Sequence, residues 1–364
     1  MPRFTELVAG LPATVPFVGP EAQERTRGKS FKARIGANEN VFGPSPRAVE
    51  AMAREAAETW QYGDPENHEL KIALALLHGI AVENVVVGEG IDGLLGYLVR
   101  MLIEPGDKVV TSLGAYPTFN FHVAGFGGDL ETVPYKDDHE DVFALIAKAA
   151  EVRAKIVYLA NPDNPMGTIH PPSTIGRAID TIPGNCILVL DEAYLDCAPA
   201  GSEYPLDPKD TRIVRMRTFS KVYGMAGARV GYAIGHQELI RSFDKIRNHF
   251  GMSRISQAGA LAALEDRQHL ANTVARIENA RRRIGEIAAS NGLSVVPSAA
   301  NFVAVDCGRD GVYARRVLEG LIKRDIFVRM PFVPPQDRCI RVSAGTESDL
   351  RLFEQALPAA LRDA

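Results

Sequence analysis

Along most of this chain short apolar runs alternate with longer amphipathic stretches, which predicts strands and helices following one another in an α/β fold. Residues 84–87, 108–112, a segment just after 130, 156–160, 187–190, 212–217 and 230–234 read as strands. The run Ile187-Leu188-Val189-Leu190 is apolar at every position, as a strand covered on both faces is. Helical periodicity is expected over 46–59, with Ser45 as N-cap and Pro46 in the first turn, over 69–78, from the glycine turn at 88–93 through Leu102, and before residue 155. Strands joined through helices imply a mostly parallel, doubly wound sheet.

The two ends of the chain have a different texture. Residues 1–45 are rich in Pro and Gly with little periodicity, which predicts an extended arm packed on another part of the molecule. Helices are expected at 237–248 and 255–290, the second leading into a smaller α+β domain with strands at 302–306, 327–330 and 339–343. The expected division is an arm over 1–45 that partly joins the small domain, a large domain over 46–250 and a small one over 251–364.

A length of 364 residues is ample for a buried core, and 46% hydrophobic with 24% charged residues is ordinary for a globular protein. The net charge of −4 offers no basic surface to nucleic acid or an anionic membrane, and neither is expected as a partner. Arg281-Arg282-Arg283 reads as a solvated helix face. Cys186, Cys197, Cys307 and Cys339 lack any C-x-x-C or metal-ligand spacing, so no metal is expected and a reducing cytoplasm fits. No stretch approaches the ~20 apolar residues of a membrane span, and the N-terminal segment is too short and Pro-broken for a signal peptide.

Candidate chemistry concentrates in residues 187–231. The apolar strand ends in Asp191, which places a carboxylate at the sheet's C-terminal edge, where ligands of open α/β sheets sit. The next strand runs into Thr218-Phe219-Ser220-Lys221, followed by Gly224-Met225-Ala226-Gly227-Ala228-Arg229. Taken singly, such residues are commonest as caps and solvated charges. Together they supply an imine-forming lysine, a carboxylate able to keep a pyridine nitrogen protonated, and a cation for a phosphate, which are the needs of pyridoxal 5'-phosphate.

Gly88-Glu89-Gly90-Ile91-Asp92-Gly93, between a strand and a helix, makes an anion site and is also G-x-G-x-x-G, the dinucleotide fingerprint. The dinucleotide reading needs an acid about 20 residues on, at the end of the following strand. That strand leads into Leu113-Gly114-Ala115-Tyr116, and Asp107 precedes it, so a nicotinamide enzyme is disfavoured.

The sequence resembles the fold-type I pyridoxal-phosphate aminotransferases, particularly the histidinol-phosphate aminotransferase group. Asp191-Glu192-Ala193-Tyr194 and Arg217-Thr218-Phe219-Ser220-Lys221 carry the likeness, with further matches from about Asn38 to Thr346. The resemblance implies that Lys221 bonds the cofactor, that Asp191 pairs with its ring nitrogen, and that Tyr116 stacks on the ring. Tyr194, and Asn164 of Asn161-Pro162-Asp163-Asn164-Pro165, would hydrogen-bond the ring's phenolic oxygen. The phosphate falls to Ser220, Arg229 and the Gly90-Ile91-Asp92 turn, with Tyr62 reaching across from the other subunit of a homodimer. Arg341 would take the substrate carboxylate, with Arg329 and Asn38 as further substrate contacts. The chain departs from the family pattern at Val41, at Gly63, where proline is usual, and at Ile91-Asp92-Gly93, where Ser-Asp-Glu is usual and a hydroxyl is lost.

The implied reaction is transamination between a small amino donor, histidinol phosphate, and a 2-oxo acid, 2-oxoglutarate. Phe17 stands in the region where the group has an arm tyrosine that helps form the donor's phosphate pocket. An apolar wall there makes an aromatic amino-acid aminotransferase the competing reading, with a threonine-phosphate decarboxylase behind it. From another class, a non-catalytic binding domain would have no need of an imine-forming lysine.

Overall fold

The computed structural model describes residues 3–13 and 18–364. Its strands, in chain order, are β1 (Ala33–Arg34), β2 (Val85–Gly88), β3 (Lys108–Ser112), β4 (Asp129–Val133), β5 (Ile156–Ala160), β6 (Ile187–Asp191), β7 (Ile213–Thr218), β8 (Gly231–Gly235), β9 (Ser294–Val295), β10 (Phe302–Asp306), β11 (Ile326–Phe327) and β12 (Cys339–Ser343). Seven of them form the central sheet in the order β2-β8-β7-β6-β5-β3-β4. All its pairings are parallel except those of β8, which runs antiparallel to both β7 and β2.

Helices cover both faces of this sheet, and the alternation of side chains along each strand feeds two cores. Ile156 and Tyr158 of β5 pack with Leu94, Leu95 and Leu98 of the helix Gly90–Leu102. Val157 and Leu159 point the other way, to Leu145 and Ile146 of the helix Val142–Val152. Burial on both sides is why these strands carry so few polar residues.

A further core gathers the C-terminal elements. Ile277, Ile284 and Ile287 of the helix Arg267–Ser290 pack against Val303, Val305 and Phe353. The sheet there is β12-β10-β9, antiparallel throughout, and β1 of the arm pairs in parallel with β11. Ala33 and Ile35 therefore join the C-terminal core from the other end of the chain.

Several elements differ from the pattern-based expectation. The arm is not uniformly extended, since helices form at Glu6–Gly10 and Pro20–Arg27, the second with Pro20 in its first turn and Gly28 at its C-cap with φ 68°. The single helix expected over 255–290 is two, Arg254–Glu265 and Arg267–Ser290. Asp266 separates them by accepting a hydrogen bond from the His269 amide, which caps the second. The strand expected over 327–330 stops at Phe327, and only Arg329 continues the pairing, as a bridge to Arg341. Pro331 beyond it lacks the N–H a longer ladder would use. Phe17 lies outside the described residues. Among the described residues no helix is long and apolar enough to cross a membrane.

Candidate active site

The parallel strands β3, β5, β6 and β7 bring their C-terminal ends to one edge of the sheet, and β2, antiparallel to β8, ends there too. Because β8 is reversed, it begins where the others finish, and Arg229 just before it joins the same edge. A cavity of about 260 Å³ opens at that edge. Ile91, Asp92, Tyr116, Asn164, Asp191, Tyr194, Ser220, Lys221 and Arg229 all line it. Residues scattered over more than a hundred positions thus meet because each follows or ends a strand of one sheet.

At the base of the cavity Asp191 is buried, and both carboxylate oxygens are engaged by neutral donors. The Tyr158 hydroxyl donates to one at 2.6 Å and the Ala193 amide to the other at 2.9 Å. Burial raises the Asp191 pKa above the ordinary carboxylate value. The neighbouring Glu192 behaves oppositely. Burial opposes its charge as well, but Arg217 and Arg215, at 2.9 Å and 2.5 Å, hold its pKa below the usual value. Of two adjacent buried acids, one is neutralised within the protein and the other faces the cavity without a bonded cation.

Lys221 faces the same cavity. Enclosure, with Arg341 nearby, pushes its ammonium down to about 8, against the opposing pull of Cys197 and Asp191. Its Nζ donates to the main-chain oxygen of Asn38 at 3.1 Å. Asn38 is held by its own network, with the Ser343 hydroxyl donating to its side-chain oxygen at 3.1 Å and Asn301 donating to its main-chain oxygen at 3.0 Å. From its side-chain amide it donates to the Tyr194 hydroxyl at 3.0 Å, and burial pushes that phenol up to about 12.

The far end of the cavity is a backbone cradle. Gly90 opens the helix Gly90–Leu102 with φ 78°, and a Cβ there would lie 2.4 Å from Nη2 of Arg229, so no side chain fits. A Cβ on Gly231 would fall 2.6 Å from the Ile91 nitrogen. Arg229 itself is at φ 54°, and its Nη1 donates to the Ser220 hydroxyl at 3.4 Å. A helix N-terminus, a guanidinium and a hydroxyl therefore converge, an arrangement that attracts an anion.

Arg341 does not line this cavity but reaches it through Asn164, to whose side-chain oxygen it donates at 2.5 Å, while its Nε is buried without a hydrogen-bond partner. Burial pushes its pKa down to about 10. Arg329 pairs with it through the backbone bridge, donates to the Val18 main-chain oxygen at 2.7 Å, and shares a small adjoining cavity with Arg341 and Asn164. Tyr116 is the N-cap residue of a short helix, Pro117–Gly125, which the sequence pattern did not reveal. Tyr62 lies away from the cavity of its own chain, 78% exposed, its ring tilted at 38° to that of Phe250 with centroids 4.7 Å apart.

Tyr158 is the site residue that sequence reasoning missed. It sits within an apolar strand, and its hydroxyl was the available signal, because a buried phenol needs a partner. In the ladder Tyr158 opposes Val189 and Ala160 opposes Asp191, so Tyr158 and Asp191 are diagonal neighbours across adjacent strands.

The family described as Aminotransferase class I and II matches residues 32–357 of this sequence. The chain belongs to the class I and II aminotransferases. A histidinol-phosphate aminotransferase of Moorella thermoacetica is 32% identical over 362 residues, covering 98% of this chain and 92% of that protein. One from Anaeromyxobacter sp. is 36% identical over 333 residues, 90% of this chain and 91% of that protein. The crystal structure of a histidinol-phosphate aminotransferase from Sinorhizobium meliloti, in complex with pyridoxal-5'-phosphate, superimposes with a TM-score of 0.96 at 51% identity. It covers 100% of this chain and 98% of that one.

Proposed function

We propose that this chain is a pyridoxal-phosphate-dependent aminotransferase that takes its amino group from histidinol phosphate and gives it to 2-oxoglutarate. The observation that carries this reading is the pairing of Asp191 and Lys221 in one cavity, an acid without a bonded cation and an amine lowered to about 8. A buried carboxylate with only neutral donors is costly, and a protonated ring nitrogen would supply the missing charge. The Gly90 cradle with Arg229 and Ser220 suits a phosphate group, and the unpartnered Arg341 Nε suits a carboxylate. The residues present fit the cofactor at its base, its phosphate and its substrate side.

Bound there, pyridoxal phosphate supplies an electron-withdrawing ring that acidifies the Cα–H of an amine joined to it. Lys221 would hold the cofactor, and its Nζ, with a pKa lowered to about 8, would take and return the proton at the substrate Cα. Asp191 holds the ring proton, kept in place by Tyr158. Tyr194 and Asn164 address the phenolic oxygen, Tyr116 packs against the ring, and Ser220, Arg229 and the N–H groups of Gly90, Ile91 and Asp92 hold the phosphate. Arg341 binds the carboxylate of the 2-oxo acid bidentately, with Arg329 and Asn38 beside it. Tyr62, exposed in one chain, completes the phosphate site of a second copy in a homodimer.

The donor assignment rests on the histidinol-phosphate aminotransferases to which the chain is similar over its whole length. Turnover of histidinol phosphate and of phenylalanine, each with 2-oxoglutarate, tests it. Higher kcat/KM for histidinol phosphate is expected, and turnover of phenylalanine alone would assign the aromatic reading instead.

A further inference from the structure

Within and beneath the loop that carries Asn164 are two carboxyl groups whose hydrogen bonds come from no cation. Glu140 is 1% exposed and Asp163 2%. Their donors are neutral. Glu140 accepts from the Ser112 hydroxyl at 2.7 Å and the Ala160 amide at 2.9 Å, and Asp163 from the Tyr135 hydroxyl at 2.7 Å and the Met166 amide at 2.8 Å. The other titratable groups around them are Tyr135, Tyr158, His139, His170 and Arg341, whose charge interacts with that of Asp163. His170 meets only the main-chain oxygen of Glu140, at 2.7 Å, and its ring lies 5.3 Å from that of His139.

Two adjacent acids in such an interior cannot both ionise, so one proton remains between them. Burial, then the charge of Asp163, raises Glu140 well above the carboxylate range, and burial raises Asp163 to about 6. Burial together with the charge of Asp163 thus favours the protonated form of Glu140.

The atoms this pair bonds are placed to matter. The backbone ladder between β3 and β5 includes only Val109–Ile156 and Val110–Val157, so the two strands part before their C-terminal ends. Glu140 bridges that gap, from Ser112 at the end of β3 to Ala160 at the end of β5. Beyond Ser112 the chain turns into Tyr116, and beyond Ala160 into Asn164. Asp163 then fixes the far side of the second loop through Met166.

We propose that Glu140 and Asp163 form a buried acid–carboxylate pair that shares one proton and sets the spacing between Tyr116 and Asn164, making Glu140 a positioning residue for the cofactor ring. The inference rests on the ring contacts assigned to those two residues in the functional reading. Glutamine keeps one acceptor oxygen for the Ala160 amide and offers N–H donors to the Ser112 hydroxyl and to Asp163, whereas alanine removes the bridge.

The test compares wild type, Glu140→Gln and Glu140→Ala loaded with pyridoxal phosphate, reading the pH midpoint of the bound cofactor's absorbance change. Hydrogen bonds to the phenolic oxygen favour its anionic form and hold that midpoint low. Glu140→Ala is expected to raise it by about one unit and weaken cofactor affinity about tenfold, and Glu140→Gln to stay within about 0.3 units of wild type. An unchanged midpoint in Glu140→Ala, or an equal displacement in both variants, overturns the proposal. If wild type takes up no pyridoxal phosphate, the functional reading fails by itself. The shared proton is still tested in cofactor-free protein, by Tm against pH for wild type and Glu140→Gln. A carboxyl raised in the folded state contributes stability that is full below its unfolded pKa and lost as pH climbs toward its folded value. Wild type should therefore lose Tm relative to Glu140→Gln as pH rises above the ordinary carboxylate value of 4.5, and a constant difference as pH rises contradicts the shared proton.

Discussion

The amine of Lys221 donates to the main-chain oxygen of Asn38, 3.1 Å away and 183 positions earlier in the chain. Asn38 can offer that oxygen because it sits at φ 56°, a left-handed conformation that asparagine tolerates better than most residues. The arm, through β1, is also a strand partner of the C-terminal core. Lysine, arm and C-terminal core are therefore mechanically joined at one amine.

The depressed pKa of Lys221 predicts how the cofactor-free protein captures pyridoxal phosphate. Only the neutral amine attacks a carbonyl, so the capture rate should rise with pH and level off above about 8. Stopped-flow absorbance against pH measures this. A midpoint near the ordinary lysine value would mean that the amine is not desolvated in the cavity.

Arg341→Gln removes the guanidinium whose Nε has no partner within the protein. A charge-assisted bidentate contact contributes about 2–3 kcal/mol, so kcat/KM for 2-oxoglutarate should fall roughly 30- to 160-fold, mainly through KM. Steady-state kinetics with 2-oxoglutarate varied reads the split. An equal loss in kcat with KM unchanged would place Arg341 outside the carboxylate site.

Tyr158→Phe takes away one of the two donors on Asp191. The Tyr158 bond lowers the Asp191 pKa, against burial, which raises it, so its loss moves that pKa further up. The acid limb of the kcat profile should shift to higher pH, and the orphaned carboxylate oxygen should cost about 1–3 kcal/mol of stability. Paired pH–rate and denaturation curves check both effects together.

Tyr62 yields a prediction about assembly. If it completes the other subunit's phosphate site, Tyr62→Phe and Lys221→Ala chains, each impaired alone, should regain activity when refolded together. In a mixed dimer the lysine-bearing site then receives an intact tyrosine from its partner. Activity of the mixture equal to the average of the two parents would place Tyr62 outside a shared site.

Much of this arrangement was legible in local signals, and the remainder depended on neighbours distant in sequence. Asp191 could be located because an apolar run ends on it, and Lys221 because it follows a strand and precedes a small-residue turn. Tyr158 could not, because its role depends on which strand lies beside β5 and in what register. Glu140 reads as an ordinary charge before a helix, and only the parting of β3 and β5 gives its carboxyl a place between them. The break at Asp266 was missed for a simpler reason. Apolar periodicity runs on both sides of it, and the cap that separates the helices is one side-chain hydrogen bond.

Lys221 is the residue proposed to hold pyridoxal phosphate. Borohydride reduction of the cofactor-loaded protein followed by peptide mass mapping tests it most directly. One reduced cofactor per chain on the peptide containing Lys221, and none in Lys221→Ala, is the predicted result. A cofactor adduct on another lysine of the wild-type protein, or no adduct at all, would contradict it.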